Sequence, residues 1–123
     1  MPVLSWIRAR ARSFRFAFRG IGTMLATQHN AWIHAAAVLV VVTAGLGFGI
    51  ERMEWSAITL AIVAVWMAEA LNTAFEALCD VASPDFHPLV ERAKDVAAGA
   101  VLICAIGAVV VAALIFGPRL AAL

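Results

Sequence analysis

Residues 31–50, 55–79 and 96–116 form three apolar runs, each long enough to cross the hydrocarbon core of a bilayer, which takes ~20 helical residues. Lipid offers the backbone no hydrogen bonds, so a run of this kind crosses it as a helix. Composition points the same way: 64% of the residues are hydrophobic, 14% are charged and the mean hydropathy is +0.96, whereas roughly 45–50% apolar content is usual in soluble domains. A soluble fold of this length buries only about two-thirds of its surface and could not hide so many apolar side chains. The expectation is an all-α integral membrane protein with one domain covering residues 1–123 and three transmembrane helices.

Ahead of the first run, residues 4–21 alternate arginines with apolar and aromatic side chains. On a helical wheel Ile7, Ala11, Phe14, Phe18 and Ile21 gather on one arc, with Arg8, Arg12, Arg15 and Arg19 on another, the pattern of an amphipathic helix lying in the membrane surface. Gly20 and Gly22 are expected to loosen its end. The net charge of +1 hides this asymmetry, because Arg8, Arg10, Arg12, Arg15 and Arg19 all lie in the first twenty positions with no acid among them. A basic arm would also suit nucleic acid, but so apolar a chain offers no groove or base-reading surface, and no nucleic-acid partner is expected. A secretory signal would place its apolar stretch directly behind a short basic start, so the chain reads as uncleaved. Cys79 and Cys104 lie in apolar surroundings without CxxC spacing and read as small buried hydrophobes.

The first link, Glu51-Arg52-Met53-Glu54, reads as a tight polar turn between antiparallel neighbours, with Trp55 as an interface anchor. The second link, residues 80–95, contains Ser83-Pro84 and His87-Pro88, and proline suits the first turn of a helix, where its missing N–H is no loss. The third helix is therefore expected to start near Pro88, outside the bilayer. Basic residues concentrate in the amino arm and, as Arg92 and Lys94, in the second link, against Arg52 and Arg119 on the other side. By the positive-inside rule the amino end and the second link are cytoplasmic and the carboxyl tail faces outward. Ala97, Ala98, Gly99, Ala100, Ala105, Gly107 and Ala108 let helix backbones approach closely, and so thin a bundle is expected to oligomerise.

The second run carries Glu69, Asn72, Thr73, Glu76 and, at its cytoplasmic end, Asp80. At 100° per residue Glu69, Asn72, Glu76 and Asp80 fall within about 80° of one another, so one helix face presents three carboxylates and an amide in a column. A carboxylate in mid-span is unfavourable by ~2.5 kcal/mol or more, and such groups mark a pathway or a site. Like charges stacked in this way call for a cation. Oxygen ligands favour magnesium, and a magnesium ion with few protein ligands shares itself with phosphates. Lys94, beside Asp95 at the mouth of the third helix, would set a compact positive charge against a phosphate. A plainer reading makes the column a hydrogen-bonded interface between copies of the chain. Another makes it a relay in a small proton-coupled transporter through Glu69 and Glu76, which would need access from both faces. His29 and His34 read as interfacial polar residues flanking the first span, and His87 lies in the second link.

The run Ala68-Glu69-Ala70-Leu71-Asn72-Thr73-Ala74-Phe75-Glu76, followed by Asp80, Ser83-Pro84, His87-Pro88 and Ala93-Lys94-Asp95-Val96-Ala97-Ala98-Gly99, resembles the bacterial diacylglycerol kinase and undecaprenol kinase family over nearly the whole chain. Phe14, Ala17, Gly20, Asn30 and His34 resemble the undecaprenol kinase branch. The resemblance implies a homotrimeric enzyme of the bacterial inner membrane, with sites shared between subunits, that passes the γ-phosphate of ATP to the hydroxyl of undecaprenol or diacylglycerol. It implies Glu69 as the base, Asn72 as its positioning neighbour and Glu76 as a ligand of Mg2+. Asp85, Phe86 and His87 would lie along the nucleotide, Lys94 and Asp95 would engage it and its phosphates, and Phe16 would approach its base. Where the family usually has a second metal-binding glutamate, this chain has Gln28, whose amide oxygen can ligate magnesium without adding negative charge.

Overall fold

In a computed structural model, which describes residues 2–123, the chain forms four helices: α1 (Pro2–Thr27), α2 (His29–Phe48), α3 (Arg52–Ala82) and α4 (Pro88–Ala121). The last three are long and apolar enough to cross a membrane. At 1.5 Å per residue, the 34 residues of α4 extend about 50 Å, so the helix outruns a ~30 Å hydrocarbon core.

The surface helix runs past its expected limits of 4–21. Gly20 and Gly22 do not end it: the helix continues past them, with Met24 buried in the next turn and the Thr23 and Thr27 hydroxyls bonded to the Arg19 and Thr23 carbonyls. The break comes at Gln28, whose extended backbone (φ −114°, ψ 118°) caps α2 without a side-chain hydrogen bond. Across this elbow the Trp32 indole N–H donates to the Leu25 carbonyl at 2.9 Å.

At its far end α2 stops at Gly49, the one positive-φ residue among those described (φ 63°), whose N–H returns to the Gly45 carbonyl. A left-handed residue favours glycine there. Gly45 is small for another reason: a Cβ on it would stand 2.6 and 2.8 Å from carbons of the Trp55 ring. The turn is tighter than the polar link read from sequence, since only Gly49, Ile50 and Glu51 lie between the helices. Glu51 takes the extended N-cap, and Arg52, Met53 and Glu54 are already helical, with Glu54 facing the positive end of the helix dipole. Helix α4 begins at Pro88 as expected, capped by His87, whose Nδ1 accepts from the Leu89 N–H at 3.1 Å.

Helices α3 and α4 make the most extensive contact, α2 lies against α3, and α1 touches both α2 and α3. The best-packed region lies away from the carboxylate column, where Ile50, Ile58, Ile115 and Phe116 are buried with Phe48, Trp55 and Val41 around them. Arg119 clamps that end, its guanidinium meeting Glu54 at 2.8 and 3.0 Å. Elsewhere large apolar side chains such as Leu39, Leu60, Leu71, Ile103 and Leu114 point outward. Water would penalise such a surface, and hydrocarbon does not.

Candidate active site

The four polar residues of the α3 column become steadily wetter toward the link. Glu69 is fully buried at 0% exposure, Asn72 retains 7%, Glu76 is half-buried and Asp80 is exposed. Helical period alone puts them on one face, and the packing of α2 and α4 seals the upper part of it. Both carboxylate oxygens of Glu69 lie buried without a hydrogen-bond partner among the described residues. Its backbone carbonyl is taken by the Thr73 hydroxyl at 2.8 Å. A buried polar group without a partner is uncommon and calls for an explanation.

One turn below, Asn72 Nδ2 donates to Glu76 Oε1 at 3.2 Å, leaving its Oδ1 buried and unpaired among the described residues. Asn72 Oδ1 and the Glu76 carboxylate are oxygen donors on one helix face. The donors are hard oxygens and fit magnesium. Among the described residues no cluster of three or more His, Cys, Asp or Glu side chains could hold a metal by itself. Such a set suits an ion that keeps waters and shares itself with phosphate oxygens. Gln28 sits half-buried at the α1–α2 elbow, its side chain free of any capping bond.

Lys94 is engaged by a residue of the chain itself: its Nζ donates to Asp80 Oδ1 at 2.6 Å, joining α4 to the end of the column. It precedes the apolar run that begins at residue 96, and the hydrogen bond to Asp80 raises its pKa above the usual lysine value. Asp85, Phe86, His87 and Lys94 share one polar hollow of about 290 Å³ at the link, together with Asp80 and Glu91. Asp95 is exposed and does not line it. Phe16 lies in a different hollow, between α1 and Ala70, Thr73, Ala74 and Ala77 of α3, with the Arg19 guanidinium 5.7 Å from its ring centre.

His34, read from the sequence only as a polar residue flanking the first span, brings Nε2 to 3.4 Å from Glu69 Oε2, while its ring meets Trp66 edge-on at 6.3 Å. Its distance in sequence from Glu69 gave no sign of the pairing.

Three helices long and apolar enough to span a membrane, one of them carrying a carboxylate column that runs from buried to exposed, together with an arginine-rich helix at the amino end, define a small helical membrane protein. Comparison with known sequences makes this specific. The sequence model of prokaryotic diacylglycerol kinase matches residues 15–116. Undecaprenol kinase of Bacillus subtilis is 39% identical over 109 residues, 89% of each chain. Diacylglycerol kinase of Synechocystis is 38% identical over 112 residues, covering 90% of this chain and 64% of that protein. Diacylglycerol kinase of Escherichia coli K12 is 33% identical over 87 residues, 65% of this chain and 71% of that one. The chain belongs to the prokaryotic diacylglycerol kinase family, and it is a lipid kinase. The transporter reading is not favoured.

Proposed function

We propose that the chain transfers the γ-phosphoryl group of ATP to the hydroxyl of a membrane lipid alcohol, undecaprenol or diacylglycerol, at the cytoplasmic face of a bacterial inner membrane. The observation that carries this is Glu69: a fully buried carboxylate with two open acceptor oxygens, at the dry end of a column whose wet end carries a lysine. The relatives include kinases named for each alcohol, so both remain substrates to test.

In this reading the lipid hydroxyl gives its proton to Glu69 as its oxygen bonds to the γ-phosphorus. The bond from that phosphorus to the β,γ-bridging oxygen breaks, and its electron pair leaves with ADP. Phosphoryl transfer depends on alignment and on neutralising negative charge more than on covalent chemistry. Asn72, tied to Glu76, fixes the face of α3 on which the hydroxyl is presented. Glu76, with Gln28 as an uncharged companion, would hold Mg2+, which supplies charge neutralisation when bound. Lys94 exchanges Asp80 for phosphate oxygens, Asp85, Phe86, His87 and Asp95 lie along the nucleotide, and Phe16 approaches its base. The amino arm and the α3–α4 link face the cytoplasm, and three copies assemble with sites shared between neighbours.

The test is incorporation of label from [γ-32P]ATP into undecaprenol and into dioleoylglycerol in mixed micelles, for wild type and Glu69→Gln. Wild type labels at least one alcohol, and Glu69→Gln loses ~10²–10⁴-fold in turnover, the usual worth of a general base. Label in neither lipid overturns the reading. A Glu69→Gln chain retaining above about a tenth of wild-type activity overturns the base assignment.

A further inference from the structure

His34 faces the Glu69 carboxylate across the α2–α3 contact. Beside it, a half-open apolar hollow of about 160 Å³ lies between α2, α3 and α4, lined by Ala37, Val38, Ile62, Val65 and Ala108, among others. Its aliphatic walls offer water no hydrogen-bond partner. On one side the Trp66 ring holds the imidazole edge-on, and on another stands Glu69 Oε2, 3.4 Å from Nε2. Both Nε2 and Oε2 are buried without a hydrogen-bond partner among the described residues, so a shift of a few tenths of an ångström joins them. Other charged groups on the elements packed here stand further along: Glu76 on α3, and on α1 Arg19, in the hollow beside Ala70 and Ala74. The cavity-lining part of α4, Ala105, Ala108 and Val109, has none.

We propose that His34 is a positioning residue for Glu69 and holds with it the proton taken from the lipid hydroxyl, an inference that rests on Glu69 being the base. Before transfer, carboxylate and neutral imidazole together carry one negative charge. Afterwards the new proton lies on the Glu69 carboxyl group while Oε2 still accepts the Nε2–H of His34, and the pair is neutral. Burial in apolar surroundings disfavours the carboxylate before transfer, and an imidazole N–H beside Oε2 keeps it ionised and aimed as a base. The proton passes to solvent as the product leaves.

The experiment compares wild type, His34→Ala, His34→Gln and Glu69→Gln for kcat, for the KM of ATP and for the pH dependence of kcat, on whichever of undecaprenol or dioleoylglycerol accepts label. The glutamine keeps an N–H donor near the position of Nε2 and cannot titrate. His34→Ala is expected to lower kcat about 10²-fold with the KM of ATP within about twofold. His34→Gln is expected to recover part of that loss and to lack one ionisation present in the wild-type kcat profile. Should His34→Ala not fold, judged by circular dichroism in detergent, the pH profile of His34→Gln decides alone. A His34→Ala chain with more than about a third of wild-type kcat, or a His34→Gln profile identical to wild type, overturns the proposal. If Glu69→Gln is inactive in the same assay, such a result leaves the base reading standing. If Glu69→Gln is active, that reading has failed, and this inference fails with it.

Discussion

The clamp between Arg119 and Glu54 offers a direct test of how α3 and α4 are held in register. The guanidinium meets both carboxylate oxygens, at 2.8 and 3.0 Å, and Nη1 also donates to the Ile115 carbonyl at 2.7 Å. At that separation the gross attraction is about 6 kcal/mol for an effective dielectric near 20, and desolvation offsets most of it. The two side chains are 28% and 24% exposed, which places the pair between the surface and the interior. Exposed pairs contribute ~0.2–1 kcal/mol, and breaking a buried pair costs ~3–5 kcal/mol, so a loss of about 2 kcal/mol is expected for Glu54→Gln. Arg119→Gln should cost about 1 kcal/mol more, because it also removes the hydrogen bond to Ile115. The double substitution should cost less than the sum, since neither charge is then left alone, with a coupling of roughly 1–2 kcal/mol. Denaturant unfolding in detergent, followed by far-ultraviolet circular dichroism, gives the four stabilities. Single losses both below about 0.5 kcal/mol with additive behaviour would show that Ile115 and Phe116 set the register without the charges.

Two further outcomes concern the site. Gln28→Glu adds a carboxylate where Glu76 is proposed to hold magnesium, and a magnesium titration at saturating ATP should show half-maximal turnover at a lower concentration; an unmoved or rightward curve separates Gln28 from Glu76. Asp80→Asn removes the negative charge and weakens the hydrogen bond that raises the Lys94 pKa, so the 13Cε titration of Lys94 should move down toward the ordinary lysine range. Because that pKa is raised in the folded chain, the stabilisation from the pair is present below the unfolded lysine value and fades as pH climbs through the folded one. A Lys94 titration unchanged by Asp80→Asn contradicts this.

Much of the architecture could be read from one-dimensional pattern. The three spans follow from length and hydropathy, and the α3 column follows from helical period, because both are properties of a single helix. Helix ends were less legible: α1 runs through two glycines to Thr27 with Met24 buried, and Glu51 shortens the first link to three residues. What depends on how helices dock was not legible at all. His34 meeting Glu69, Lys94 meeting Asp80 and Arg119 meeting Glu54 each join residues on different helices, and no periodicity within one run encodes such a distance. The roles proposed for Asp85, Phe86, His87 and Phe16 rest on family resemblance alone. The structure gathers the first three into one hollow with Lys94 and sets Phe16 in another.

The rise in exposure along α3, from Glu69 to Asp80, bears on a side reaction that every phosphoryl-transfer enzyme must suppress. Water is a far more abundant acceptor than any lipid alcohol, and a base open to solvent would activate it and waste the nucleotide. With Glu69 fully enclosed and Asp80, paired to Lys94, in solvent, the two ends of one helix face stand in different media. On the proposed reading, a hydroxyl already dissolved in the hydrocarbon phase reaches the dry end without bringing bulk water, and fidelity for lipid over water comes from exclusion rather than from recognition.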